Sequence, residues 1–161
     1  MEKIIELQQP VLFNSTLETG VRATIILNAY YPKLLSLSAL VLMDHLVVHT
    51  QDMGGPTSLH VNLPHRGGEL LVRREVIEQG TAMMRRLGLI NLIALPSGFY
   101  FQASEEALPF IRLLKSKYNV QLKERAQWLA ENIGNVDDAS IEKLINQKIN
   151  RWELEFYNID N

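Results

Sequence analysis

The chain has 161 residues, a formal net charge of −2 and no cysteine. That length suits one domain, or one domain with an appendage, and can bury a core without disulfides or structural metals. The near-neutral charge provides no general attraction to nucleic acid or anionic membranes, and the lack of cysteine excludes thiolate chemistry and Cys-ligated metals. A 47% hydrophobic content, with neither a signal-peptide pattern nor a bilayer-length apolar stretch, predicts a cytoplasmic globular protein.

Two helices are predicted in the first third of the chain. Ser15–Glu18 has the sequence of a capping box, so a helix should begin there, and Pro32 should end it. Ser36 or Ser38 can cap a second helix that runs to about His49. The second helix is apolar almost all round, which predicts that it is central and buried.

A stretch of roughly twenty residues, Thr50 to Glu69, shows neither helical nor strand periodicity, and connections of that length are uncommon inside compact domains. It combines Gly-Gly and Pro punctuation with spaced histidine, aspartate and arginine, which is not typical of a flexible linker. The wider segment from Asp44 to Glu75 contains all four histidines of the chain. We therefore predict a long ordered loop at residues 50–69 whose polar side chains bind or pack.

A third helix and a β-hairpin are predicted after this loop. The helix should run from about Leu70 to Leu87, with Gly88 well placed to end it. Leu89–Leu95 and Phe99–Ala103 are apolar runs separated by Pro-Ser-Gly, the pattern of a hairpin. The buried face of the helix is predicted from residues that recur every three or four positions: Val72, Val76, Gly80, Met83 and Leu87.

Three helices followed by a hairpin is the element order of a winged-helix domain. The predicted fold class is therefore mainly α (α+β), with a winged-helix-like domain at residues 1–103 and a helical extension at 104–161. In the extension, one helix is predicted from Ser104 through Tyr118, disturbed by Pro109, and another ends at Gly134.

A last helix is predicted after Gly134, with Asp137 or Asp138 as its N-cap. Its apolar face ends in Trp152 and Phe156, so this face should cover its own domain or a partner helix.

A metal site is one hypothesis for the histidine-rich segment. His45 and His49 are four residues apart on one helical face, and further zinc ligands could come from Asp44, Asp52, His60 and His65. However, Leu46 follows the first histidine, so the metalloprotease motif is absent. Histidines and aspartates that hydrogen-bond the backbone of the loop are the preferred interpretation, and we predict no metal and no cofactor.

The same segment lacks the signature of a nucleophilic or phosphate-binding site. Ser58, His60 and Asp52 include the residue types of a catalytic triad, but their spacing does not resemble a nucleophile elbow. The Gly-Gly pairs are not followed by the Gly-Lys-Ser/Thr of a phosphate loop. The chain is therefore predicted not to be an enzyme.

DNA binding is the alternative that a winged helix suggests. Arg85 and Arg86 near the end of the third helix could contact phosphates. A DNA-reading helix-turn-helix, however, joins its helices by about three or four residues, far fewer than the loop predicted here. The window 66–86 also carries three glutamates beside its five arginines, which favours ion pairs or a protein interface. A protein-docking module is preferred, with a DNA-binding transcriptional regulator as the alternative.

Several short motifs, in order, resemble one family over about Leu12 to Ile90. That family is the middle component of bacterial ABC-three-component systems, which include Lamassu-type anti-phage defence operons. The motifs are Leu17-Glu18-x-Gly20-x-Arg22, Asp44-x4-His49-x2-Asp52, Gly55-Pro56-x-Ser58-Leu59-His60, Pro64-x-Arg66 and Leu71-x-Arg73-Arg74.

The resemblance implies a non-enzymatic adaptor that joins an SMC-like ATPase to an effector, often a nuclease, with DNA contact indirect or secondary. It carries over no catalytic residues. The loop-shaping or partner-contacting candidates that it implies are His49, Asp52, Gly55, Pro56, Ser58, His60, Arg66, Arg73 and Arg74. Trp152 and Phe156 of the last helix are added as partner-binding candidates from their pattern.

Overall fold

The computed structural model describes residues 15–60 and 66–159, with side chains described at 15–60 and 73–148. Within these ranges the chain is mainly helical with a small antiparallel sheet, so the predicted mainly α (α+β) class is confirmed. None of the described helices is long and apolar enough to span a membrane. In chain order the elements are α1 (Thr16–Tyr30), β1 (Leu35–Ser36), α2 (Leu37–Val48), a 3-10 turn (Thr50–Met53), α3 (Arg66–Arg86), β2 (Ile90–Leu95), β3 (Gly98–Ala103), α4 (Ala107–Arg112), α5 (Lys117–Asn132) and α6 (Asp138–Ile159).

The first two helices begin as the capping signals predict. The Ser15 hydroxyl accepts a hydrogen bond from the Glu18 N–H at 3.2 Å, and the Ser36 hydroxyl accepts one from the Ala39 N–H at 3.1 Å. Each cap satisfies an N–H that has no partner inside the helix. Every residue of α2 from position 39 to 48 is buried, which confirms that it is the central helix.

The predicted loop at 50–69 is wrong at both ends. Thr50–Met53 form a 3-10 turn that ends at Gly54, whose positive φ of 75° suits glycine. α3 begins at Arg66, so residues 66–69 are helical. The poor helix propensity of Gly67 and Gly68 hid this first turn, although propensity is a weak prior that packing overrides.

The buried face of α3 also differs from the prediction. Gly80 is buried as predicted, and the side chain of Val72 lies outside the described residues. Ile77 and Met84 are also buried, whereas Leu87 is 62% exposed. The cause is a close crossing of α1 and α3, where a Cβ at Gly80 would lie 2.8 Å from the backbone N of Gly20. This contact between two glycine backbones sets the rotation of α3 and turns a neighbouring stripe into the core.

The hairpin follows α3 as predicted. Gly88 ends the helix with a φ of 78°, and β2 pairs with β3 from Ile90 opposite Ala103 to Leu95 opposite Gly98. The two-residue strand β1 adds to the other side of β3, so the sheet order is β1-β3-β2. A strand of two residues has no detectable period, so the sequence did not predict it.

The predicted helix from Ser104 through Tyr118 is wrong, because the structure contains two helices there. α4 ends at Arg112 and α5 begins at Lys117. The Ser116 hydroxyl accepts from the Asn119 N–H at 3.2 Å, so this serine caps a new helix and does not continue the old one.

α6 begins after Asp137, whose carboxylate accepts from the Ser140 N–H at 2.7 Å. This residue is one of the two predicted caps.

One cluster of buried side chains joins the elements on both sides of position 103. Leu122 and Leu129 of α5 and Ile141 of α6 are buried in the same cluster as Ile26 of α1 and Leu42 of α2. The division into a domain at 1–103 and an extension at 104–161 stays a prediction. The shared core means that α5 helps to form the site described below.

Candidate functional site

A buried carboxylate, Asp44 of α2, lies between two arginines from neighbouring helices. Arg22 of α1 donates from Nε to Oδ1 at 2.8 Å and from Nη2 to Oδ2 at 3.3 Å. Arg73 of α3 donates from Nη1 to Oδ2 and also to the Asp44 carbonyl oxygen at 3.4 Å. Asp44 is fully buried, and the side chains of Arg22 and Arg73 are 2% and 9% exposed. One carboxylate therefore ties three helices together.

The electrostatics of this cluster keep its groups ionised. Burial alone would raise the pKa of Asp44, but the Arg22 and Arg73 guanidiniums outweigh burial and hold that pKa below its usual range. Burial alone would lower the pKa of Arg22, and Asp44 outweighs it and raises that pKa. At neutral pH the cluster contains one carboxylate and two guanidiniums, all of them charged.

Tyr118 of α5 extends the cluster. Arg22 donates a hydrogen bond to its hydroxyl oxygen. Burial raises the pKa of Tyr118 more than Arg22 lowers it, so the hydroxyl keeps its proton at neutral pH. The His60 Nε2 lies 2.8 Å from the same oxygen. Because arginine can only donate, the tyrosine proton is available to the imidazole.

Three histidines form a row that leads from α2 into the loop. The ring centroids of His45 and His49 lie 4.5 Å apart, and those of His49 and His60 lie 6.3 Å apart, edge to face. Burial, followed by the nearby Arg22 charge, lowers the pKa of His60 to about 4. His60 is therefore neutral at pH 7, and its ring contacts are those of an uncharged imidazole.

The arrangement of these histidines bears on the zinc alternative. In the described part of the chain, no group of three or more His, Asp or Glu side chains is arranged to hold a metal ion. His45, His49 and His60 contact one another ring to ring, and His60 also contacts Tyr118. The absence of a metal in the protein stays a prediction.

The described part of the loop, residues 50–60, folds back on α2 through its own hydrogen bonds. The Thr50 hydroxyl donates to the Pro56 carbonyl at 2.8 Å, and the Ser58 hydroxyl accepts from the Gln51 N–H at 3.2 Å. The N–H groups of positions 59 and 60 both donate to the Val48 carbonyl, at 3.0 and 3.1 Å. The loop therefore has a defined shape that small polar side chains maintain.

Helix α5 supports the loop from outside. Arg125 donates from Nη2 to the Thr57 carbonyl at 2.9 Å. A Cβ at Gly55 would lie 2.7 Å from the Trp128 ring, so the loop backbone packs directly on that indole. Tyr118, Arg125 and Trp128 are site residues that the sequence does not predict, because nothing local shows that α5 reaches the loop.

The structure separates the predicted candidates by exposure. His49 is buried, and Arg73 is largely buried on Asp44, so both act from inside the fold. Asp52, Ser58 and His60 are half-buried. We call the exposed residues 51, 54, 56 and 57, together with the half-buried Asp52 and Ser58, the loop surface.

The remaining candidates lie on the helices. Arg74 is 50% exposed beside the cluster, with Nε 3.6 Å from Glu78 Oε1. Arg85 and Arg86 are exposed at the far end of α3. Three candidates lie on helices, but their side chains fall outside the described residues. They are Arg66 of α3 and Trp152 and Phe156 of α6.

The fold and the site define a small, mainly helical protein in which a buried ion-pair cluster holds a shaped loop against the helices. The family model for the ABC-three component (ABC-3C) system Middle Component 2 matches residues 12–155. The chain therefore belongs to this family of middle components, and the match extends well beyond the segment that carries the resemblance in sequence. Comparison with curated proteins and with solved structures gives no significant match.

Proposed function

We propose that the protein is a non-enzymatic, cytoplasmic adaptor subunit of a Lamassu-type bacterial defence complex against phages or plasmids. In this role it links an SMC-like ATPase to an effector such as a nuclease. The observation that carries the proposal is the family match over residues 12–155, because a middle component belongs to a system of several components. The winged-helix interpretation of α1 to β3 is part of the proposal, and such a domain would serve here to dock proteins.

The internal polar cluster supports a binding role for the loop. Asp44 is surrounded by Arg22 and Arg73, and the loop is held by its own hydrogen bonds and by α5. A surface that is already shaped before binding loses less conformational entropy when a partner docks. The cluster therefore presents the loop surface in one conformation.

Arg74 is the most direct candidate for a partner contact. It is half exposed beside the buried cluster, and its ion pair with Glu78 is long and open to solvent. Such a pair contributes little to stability, so its arginine can change partners at low cost. Asp52 and Ser58 lie on the loop surface, whereas His49, His60 and Arg73 would position that surface from beneath.

Co-purification from cells that carry the complete operon tests the proposal. The tagged protein should recover an SMC-like ATPase and an effector, identified by mass spectrometry. Recovery of neither component would contradict it. Arg74→Ala should reduce recovery several-fold without changing the melting temperature, because the side chain is exposed. Lys123→Ala of α5 is the matched control and should leave recovery unchanged.

The alternative, a DNA-binding regulator, has one specific observation in its favour. Arg85 and Arg86 are exposed near the hairpin, and neither is ion-paired with any described residue. Phosphate contacts make DNA affinity fall steeply with salt. If the protein is an adaptor, a DNA titration at two salt concentrations should show only weak binding. Arg85→Glu combined with Arg86→Glu should not change that binding. Tight, salt-dependent binding that these substitutions remove would favour the regulator.

A further inference from the structure

Strand β2 has an open edge within the described residues. It pairs with β3 on one side, and no described strand lies on its other side. The Leu89 carbonyl accepts from the Ser104 N–H at 3.0 Å, which makes that pair a hydrogen-bonded one. Because such pairs alternate along an antiparallel ladder, the backbone groups of Ile90, Leu92 and Ala94 point away from β3. Ile90 is buried, Leu92 is half-buried and Ala94 is exposed, so the accessible part of the edge is at Leu92 and Ala94.

Within the described residues, this edge lacks the proline, charge and bulge that commonly prevent further pairing. β2 contains no proline and no charged residue, and its six pairs with β3 run without a bulge. Proteins commonly block an exposed edge with lysine, proline, a bulge or a covering segment. An edge without them can accept another strand through backbone hydrogen bonds.

A groove of about 660 Å³ runs between this edge and the last turns of α3. Asn91, Leu92 and Ile93 line it from the strand, and Arg85 and Arg86 line it from the helix. The lining contains no acidic side chain. The groove therefore combines a strand edge with uncompensated positive charge.

The two arginines differ in their interactions from the other arginines of α3 whose side chains are described. Arg73 is engaged by Asp44, and Arg74 by Glu78. No described residue forms an ion pair with Arg85 or Arg86. Their charge is available to a partner that brings carboxylates.

We propose that the β2 edge binds an extended acidic segment of a partner protein by strand addition. The backbone of the segment pairs with Leu92 and Ala94, and its aspartate or glutamate side chains contact Arg85 and Arg86. That the segment belongs to another component of the same system rests on the proposed function. A second copy of this chain is a poor occupant, because it would bring two further arginines to the groove.

Hydrogen exchange on the co-purified complex tests the strand pairing directly. The exchange rate of the peptic fragment that covers β2 should be at least about tenfold lower in the complex than in the free protein. The fragment that covers α4 should not change. A complex in which β2 exchange is unchanged would overturn the inference and leave the adaptor proposal standing.

A proline substitution tests the edge separately from the side chains. Ala94→Pro removes an N–H that points away from β3, so the hairpin keeps its ladder while the edge loses a donor. It should reduce recovery of the partner several-fold, whereas Ala94→Ser, which keeps the N–H, should not. If Ala94→Pro lowers the melting temperature, the wild-type exchange experiment still decides.

Charge reversal tests the acidic nature of the segment. Arg85→Glu combined with Arg86→Glu should abolish the protection of β2, and Arg112→Glu, at an exposed position of α4, is the control. If no complex forms, the adaptor proposal fails, and overlapping synthetic peptides that tile the other components of the operon are tested for binding instead. Binding of an acidic peptide that needs the two arginines would support the inference, and binding of none would overturn it.

Two further outcomes would assign the edge to a different occupant and overturn the inference. A dimer in sedimentation that Ala94→Pro dissociates would identify a second copy as the occupant. Salt-dependent DNA binding that the arginine substitutions remove, and that Ala94→Pro leaves intact, would assign the arginines to phosphate contacts.

Discussion

Replacement of Asp44 by asparagine removes one charge from the centre of the buried cluster and nearly preserves its shape. The change leaves the guanidiniums of Arg22 and Arg73 close together without a carboxylate. Arg22 is 2% exposed and Arg73 is 9% exposed, so neither can recover its hydration without local unfolding. Removal of one partner from a buried ion pair costs about 3–5 kcal/mol, and that is the expected loss in the free energy of unfolding. This is a large share of the roughly 5–15 kcal/mol that stabilises a typical domain.

Comparison with Arg73→Met shows whether Asp44 is the common anchor. That substitution leaves the Arg22–Asp44 pair intact and removes the excess positive charge, so it should cost only about 1.5–3 kcal/mol, the value of a hydrogen bond to a charged group. The variant that combines Asp44→Asn with Arg73→Met should lose less free energy of unfolding than the two single variants lose together. The difference should be at least about 1 kcal/mol, because the two residues interact directly.

Urea denaturation followed by far-UV circular dichroism measures these differences. With a slope of about 2 kcal/mol/M, Asp44→Asn should lower the midpoint by roughly 2 M. Glu124→Gln makes the same chemical change at a carboxylate that is 68% exposed, and it should cost less than about 1 kcal/mol. A loss below about 1 kcal/mol for Asp44→Asn, or a larger loss for Arg73→Met, would refute the reasoning.

Acid should destabilise the protein in a window set by His60, whose pKa falls from 6.5 in the unfolded chain to about 4 in the fold. The unfolded chain binds the extra proton between these values, so stability is lost as pH falls from about 6.5 to 4, by about 1–2 kcal/mol after allowance for solvent screening. His60→Gln should flatten that part of the pH profile of urea midpoints, and an unchanged profile would exclude His60 as its source. Gly80→Ala places a Cβ 2.8 Å from the Gly20 backbone and should cost about 1–3 kcal/mol or more. In thermal unfolding Gly134→Ala, whose Cβ would have no contact closer than 3.5 Å, is the tolerated control, and equal melting temperatures would contradict the crossing contact.

Local signals account for the parts of the fold that the sequence predicted well. The N-caps Ser15 and Ser36 and the stop at Gly88 depend on one side chain and a few neighbouring backbone groups. The hairpin around Pro96 depends likewise on a short turn and two apolar runs. Such signals act over a few residues, so they are visible in the sequence without knowledge of packing.

The structural predictions from the sequence were wrong where two local signals competed or where tertiary packing selected one of several possible structures. The spacing on α3 was compatible with several neighbouring stripes, and the close approach of Gly20 and Gly80 selected the one that contains Ile77 and Met84. Between α4 and α5 the apolar period continues, yet Ser116 starts a new helix by accepting from a backbone N–H. Periodicity alone could not rank these possibilities.

The sequence by itself determined the fold class, most of the element order and the membership of a middle-component family, because periodicity, caps and ordered motifs are written along the chain. Tertiary structure alone decided what the polar residues do. Arg22, Asp44 and Arg73 are far apart in sequence, and they meet because three packed helices turn them towards one another. In the described part of the histidine-rich segment, His45, His49 and His60 form a row of rings near a buried ion pair. Burial, and not spacing, determines which charges must find partners.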